Sequence, residues 1–279
     1  MLKKLFRILN ELADIFSEKK IPRASAALSY YMTMTIFPMI ICLYSLLGRS
    51  HGKALEVLEL AEEFLAIETV SVIQVFLDYV ASDSSQAMLL AGITVLISSA
   101  SAGVRSLQAT IGDFQGGGRY QGIMGFLFSI ILSVVLLAAM YFAILVMLTG
   151  QDFLVMLRKY LPFIDVDSSW HWLRFLLLAC IQFGLFIGVY EASKRRKDRY
   201  STLPGAFLAT VGTVLMSIAF SAFIAESAKY TLVYGSLASI ILLMLWLYFC
   251  CQVIYVGAAL NIVLRNIKRR GQEYSSNMV

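Results

Sequence analysis

Histidine is nearly missing from this chain of 279 residues, which has only two, His51 and His171. Neither belongs to an HExxH pair or to a Cys/His spacing that would hold a metal, and there is no Walker loop or dinucleotide fingerprint. The four cysteines, Cys42, Cys180, Cys250 and Cys251, all fall in apolar stretches, where buried thiols are expected in place of disulfides or metal ligands. Charge is scarce too: 15% of the residues are charged, and none of the 18 acids lies in the middle of an apolar run. A pump working through a buried carboxylate needs a titratable group there. These absences argue against metal-dependent hydrolysis, nucleotide-driven chemistry and a carboxylate relay. The sequence therefore leads us to expect no catalytic residues, no metal, no cofactor and no enzymatic activity.

What the chain has instead is apolar length. Hydrophobic residues make up 59% of it, and the mean hydropathy is +0.76. A soluble domain of this size has no use for so much apolar surface. The run from Gly122 to Gly150 contains no charged residue and exceeds the roughly 20 residues needed to cross a hydrocarbon core about 30 Å thick. Six stretches qualify as spans, at about 23–48, 87–108, 122–149, 172–190, 204–225 and 235–264. Uninterrupted apolar runs exclude the alternating strands of a barrel, so the spans are helices that satisfy their own backbone. The predicted fold is an all-α integral membrane protein with six transmembrane helices. The first run is expected to remain in the protein, since charged and amphipathic residues precede it and it is too long for a signal h-region.

Basic residues set the expected orientation. With the N-terminus inside, 17 of the 23 lysines and arginines fall on the cytoplasmic side, and both termini are cytoplasmic. The densest cluster, Lys194, Arg195, Arg196 and Lys197, serves as a topology signal and is also suited to anionic lipid headgroups. Membrane lipids are thus the expected partners, and nucleic acid is not.

The connections carry structure of their own. Leu2, Leu5, Phe6, Leu9, Leu12, Ile15 and Phe16 recur at helical spacing, which predicts an interfacial amphipathic helix over residues 1–20. The segment 49–86 is rich in glutamate and has its own helical pattern, predicting short external amphipathic helices that act as a lid, a partner surface or plain cover. A second external segment is expected from Gln151, and a cytoplasmic tail over 271–279. Gly116, Gly117 and Gly118 predict a turn after the second span, and Ser201, Thr202, Leu203 and Pro204 predict a helix start. Pro38 lies inside the first span, where it removes a backbone hydrogen bond and kinks the helix, either for packing or as a gate.

Neutral polar residues within the spans supply the site candidates. Thr210, Thr213, Ser217 and Ser221 step by three and four, forming a stripe that either lines a hydrated cavity or joins helices. Arg105 follows the small residues of "SSASAGVRSLQ" and is expected at the cytoplasmic end of the second span, snorkelling to water. The small residues before it, spaced by four, predict a close helix seam. If a substrate path exists, its candidates are Tyr30, Tyr31, Pro38, Arg105, Thr213, Ser217, Tyr234, Gln252 and Asn261. Small-residue faces serve contacts between subunits of a homo-oligomer as well as within one.

Four segments, "AALSYYMTMTIFPMIICLYSLLG", "SSASAGVRSLQATIGDF", "LPGAFLATVGTVLMSIAFSAFI" and "YGSLASIILLMLWLYFCCQVIYVGAALN", resemble the YihY/virulence factor BrkB family of bacterial inner-membrane proteins over nearly the whole chain. The resemblance implies a six-helix fold in the plasma membrane. Members have carried the label ribonuclease BN, but the carboxylates or histidines of a metal-dependent nuclease are not in evidence here. The chain departs from the family where relatives have Gly-Ala-Glu-Leu-Asn, reading Gly257-Ala258-Ala259-Leu260-Asn261, so no role of that glutamate carries over. It departs again after the fourth span, at "VYEASKRRKDRYSTLPG". The leading expectation is a transporter or flippase-like translocator of a lipid or other amphiphile. The alternatives are a non-transporting scaffold that recruits envelope-synthesis partners and a small-solute or ion channel.

Overall fold

Each apolar run folds as a helix because a bilayer offers its backbone no hydrogen-bond partner but itself. A computed structural model of the chain describes residues 2–47, 86–117, 122–158, 166–194, 200–226 and 236–276. Among these the helices are α1 (Leu2–Glu18), α2 (Ile21–Leu47), α3 (Gln86–Phe114), α4 (Gly122–Arg158), α5 (Val166–Ser193), α6 (Leu203–Glu226) and α7 (Ser236–Ser276), with no strand. The expected external helices of 49–86 lie outside the described residues, except that Gln86 begins α3.

Five of these helices, α3 to α7, are long and apolar enough to cross a membrane. The first expected span, α2, is not among the five. At 27 residues it is nevertheless about 40 Å long. It runs through Pro38 without interruption, and Pro38 is buried.

Several helices outrun their apolar stretches. The second expected span ends near 108, but α3 continues to Phe114; the third ends near 149, but α4 continues to Arg158. The external segment expected from Gln151 is thus helical at its start. α5 begins at Val166, ahead of 172, and α7 runs to Ser276, so most of the expected tail 271–279 is helix. Apolarity marks only the part of a helix that crosses hydrocarbon, whereas the backbone ladder runs on until glycine, proline or a cap ends it.

α3 shows such an ending. Gly116 and Gly117 have φ of 73° and 143°. The Gly117 amide donates to the Gly112 carbonyl (2.9 Å) and the Gly116 amide to that of Asp113 (3.4 Å), the paired bonds of a Schellman motif. The predicted glycine turn is therefore present. Between α1 and α2 the same left-handed backbone falls on Lys20, with φ of 52°.

Neighbouring helices close a ring. α2 packs on α3, α3 on α4, α4 on α5, α5 on α6, α6 on α7, and α7 returns to α2, with α3 also touching α5 and α7 across it. α1 packs against α7 and α2. Its apolar face divides: Leu12, Ile15 and Phe16 pack on the core, while Phe6 and Leu9 stay 67% and 54% exposed. Glu11 holds it in place, pairing with Arg7 (3.4 Å) and with Arg270 of α7 (3.0 Å). The predicted amphipathic helix exists, with half of its apolar face already occupied by the bundle.

Candidate functional site

Backbones approach very closely at the seam of α6 and α7. A Cβ added at Gly205 would fall on the Gly257 carbonyl oxygen and the Asn261 amide. One added at Gly257 would lie 2.5 Å from the Gly205 carbonyl oxygen and 2.8 Å from the Tyr190 hydroxyl. Only glycine lets the two backbones come this close. The Tyr190 hydroxyl donates to the Ile254 carbonyl (2.6 Å), tying α5 to the same place.

Asn261 bonds into this seam from both ends of its amide. Its Oδ1 accepts from the Gly205 amide (2.7 Å), and its Nδ2 donates to the Thr202 carbonyl (3.1 Å). Gly205 is the third residue of α6, so a side chain of α7 does the work of an N-cap. A residue predicted for the substrate path thus has its hydrogen-bonding groups engaged in holding the start of α6.

The polar stripe of α6 grades from closed to open. Thr210 and Thr213 are buried, Ser217 is half-buried and Ser221 is exposed. Thr213 donates back to its own helix (2.8 Å to the Ala209 carbonyl) and accepts from Gln182 of α5 (2.8 Å). Ser217 donates to the Thr213 carbonyl (2.9 Å) and accepts from the Trp246 indole of α7 (3.3 Å). Part of the stripe therefore joins α5, α6 and α7.

The remaining candidates lie on other seams. Tyr31 packs against Gly103 of α3, while Tyr30, 49% exposed, meets it edge-on at 5.7 Å between ring centres. Thr35 of α2 donates to Ser99 of α3 (3.2 Å). Gln252 is half-buried on α7. Lys194 is engaged by its neighbours: its Nζ donates to Glu191 (3.1 and 3.2 Å) and to the Tyr200 carbonyl (2.6 Å). Arg195, Arg196, Lys197 and Tyr234 lie outside the described residues. The candidates among the described residues do not converge on one constellation.

Arg105 stands apart. It lies nine residues before the end of α3, not at the end itself, and its guanidinium sits 4.9 Å from the centre of the Phe126 ring on α4. Its Nη1 and the Nε2 of Gln108 are sealed from the surface without a hydrogen-bond partner among the described residues. So is the Tyr255 hydroxyl, which faces Thr110 and Ser106 without reaching bonding geometry. Thr110 gives its own proton to the Ser106 carbonyl (3.0 Å).

The polar residues buried on α2, α4 and the middle of α3 are small hydroxyls: Ser25, Ser29 and Thr33 on α2, Ser101 on α3, and Ser129 and Ser133 on α4. Each of the four serines and Thr33 outside α3 bonds to a carbonyl of its own helix, as does Ser101. Among the described residues no three of His, Cys, Asp and Glu gather where they could hold a metal. Sequence reasoning passed over Gln108, Phe126, Gly205 and Tyr190. The signal for Gly205 was its place one residue after Pro204 at a helix start.

Comparison with known proteins decides the kinship. The family model described as virulence factor BrkB matches residues 12–278. The chain belongs to the virulence factor BrkB family. Among relatives of this BrkB-family chain, the "putative ribonuclease-like protein YfkH" of Bacillus subtilis is 24% identical over 95% of this chain and 98% of its own length. A "UPF0761 membrane protein" of Vibrio vulnificus is 32% identical over 35% of this chain and 30% of its own length. One of Vibrio cholerae is 33% identical over 33% of this chain and 30% of its own. No solved structure matches. With its apolar helices, the BrkB-family chain is a multi-pass bacterial membrane protein.

Proposed function

We propose that this BrkB-family protein is a transporter or flippase-like translocator of a lipid or other amphiphile in the bacterial plasma membrane, with no enzymatic activity of its own. Six helices would cross the membrane, α2 among them, and both termini would be cytoplasmic. One observation carries the reading: the described ring is closed at one end and looser toward the other. Among the described side chains, burial on α6 stops at Thr213, on α5 it is confined to Val189, Tyr190 and Ser193, and on α7 it begins at Leu247. Beyond those points the facing helices carry half-exposed polar side chains, including Gln182, Ser217 and Trp246. A ring gripped at one end and graded toward the other is what rocking access requires.

Purified protein in liposomes with fluorescent phospholipid in both leaflets tests this. Dithionite should bleach the inner-leaflet label faster in protein-containing vesicles than in empty ones. Equal bleaching across several headgroups would sink the reading and move weight to the scaffold.

A further inference from the structure

We propose that Arg105 and Gln108 of α3, with the face of Phe126 on α4, form a binding site for the phosphate group of a membrane phospholipid. Three residues along a helix, the two donors lie on the same side of α3. The inner guanidinium nitrogen and the amide nitrogen are both shut in with no acceptor. A cation and an amide left so in an apolar wall are disfavoured by several kcal/mol. No carboxylate among the described residues pairs with Arg105, and the nearest acid further along α3, Asp113, is two turns away and exposed. No acceptor for these two groups is found among the described residues, and an anion from outside the chain would supply it.

Geometry and depth say which anion. The guanidinium carbon sits over the Phe126 ring, so the ring supports the cation while a planar fork of N–H donors can meet an oxyanion two at a time. Arg105 is half-buried, so part of that edge reaches the surface. Phe126 comes four residues after the start of α4 at Gly122, or about 6 Å along the helix, the level of headgroups and not of the midplane. Further along the outside of α4, Leu127, Ile131, Val134 and Val135 are exposed, where acyl chains would lie. A phospholipid meets both demands at once, with its phosphate at the Arg105 edge and its chains along α4. The proposal deepens the transport reading by naming what the amphiphile carries, and it rests on that reading for movement alone.

Binding is measured on the full chain in detergent by native mass spectrometry, with phosphatidylglycerol, diacylglycerol and inorganic phosphate as probes. Phosphatidylglycerol should bind the unaltered protein, and diacylglycerol, lacking the phosphate, should not compete. Arg105→Gln should weaken phosphatidylglycerol about tenfold or more. Arg105→Lys should keep part of the affinity, holding the charge but not the planar fork. Gln108→Leu should weaken it a few-fold, and carries the test should Arg105→Gln fail to fold. Lys268→Gln, on an exposed position of α7, should change nothing. Unchanged binding in both Arg105→Gln and Gln108→Leu overturns the site. Displacement of the lipid by inorganic phosphate at matched concentration overturns the lipid assignment. Arg105-dependent binding without any flipping sinks only the transport reading, whereas normal flipping with Arg105-independent binding sinks only the site.

Discussion

The two longest helices, α4 with 37 residues and α7 with 41, are both apolar enough to span a bilayer, yet they play opposite parts. In α4 the apolar window is 11% buried within the protein, and in α7 it is 33%. α4 points Ile123, Met124, Phe126, Leu127 and Ile131 outward. α7 turns Cys251, Tyr255, Ala258, Ala259, Asn261 and Val263 inward. The fully buried side chains of α4 are Ser129 and Ser133, with Leu136 packed partly against the core. In water apolar area drives burial, but lipid tails are as apolar as leucine, so the large residues can stay outside and the small ones decide where backbones meet. Hydrophobicity places both helices in the membrane, and glycine, alanine, serine and asparagine sort them within it.

Four substitutions would break or sharpen that contrast. Gly257→Leu should have the largest effect, about 3 kcal/mol or more, because its side chain would have to displace the α6 backbone and Tyr190. Loss of the monodisperse peak in fluorescence-detected size exclusion is the readout, with Gly257→Ala as a milder companion. Next comes Asn261→Ala, which strips the start of α6 of both its hydrogen bonds and should lower stability by about 2 kcal/mol. A thermal shift in detergent would report it. Tyr190→Phe removes one buried donor to the Ile254 carbonyl and should cost about 1 kcal/mol in the same assay. The smallest change belongs to α4: Ile131→Ala, on a residue 62% exposed, should stay within about 0.5 kcal/mol in lipid nanodiscs, since lipid fills the gap. Equal losses from Ile131→Ala and Asn261→Ala would end the distinction.

Much of the architecture was legible because membrane helices announce themselves by apolar length, and α1 by its spacing. The glycine turn after α3 was equally readable, since Gly116 and Gly117 take backbone angles other residues avoid. Helix ends were not, because the reading stopped where apolarity stopped. The span expected to end near 108 belongs to a helix that carries on through Asp113 to Phe114, so Arg105 lies nine residues from the helix end. The faces of the helices were hidden too, as a helix apolar all round has no pattern to say which side meets protein. Asn261 shows the limit for the site. Its polarity stood out in the sequence, but its partners Thr202 and Gly205 lie 59 and 56 residues away, and only the folded chain reveals that they use up both ends of its amide.

The capping of α6 by Asn261 also orders the protein's birth. A ribosome delivers Gly205 and its open amide long before it delivers residue 261, so α6 must enter the bilayer with that end unfinished. The later helix thus closes the start of the earlier one. Until synthesis has passed Asn261, the Gly205 amide and the Thr202 carbonyl lack the side chain that joins them in the folded protein.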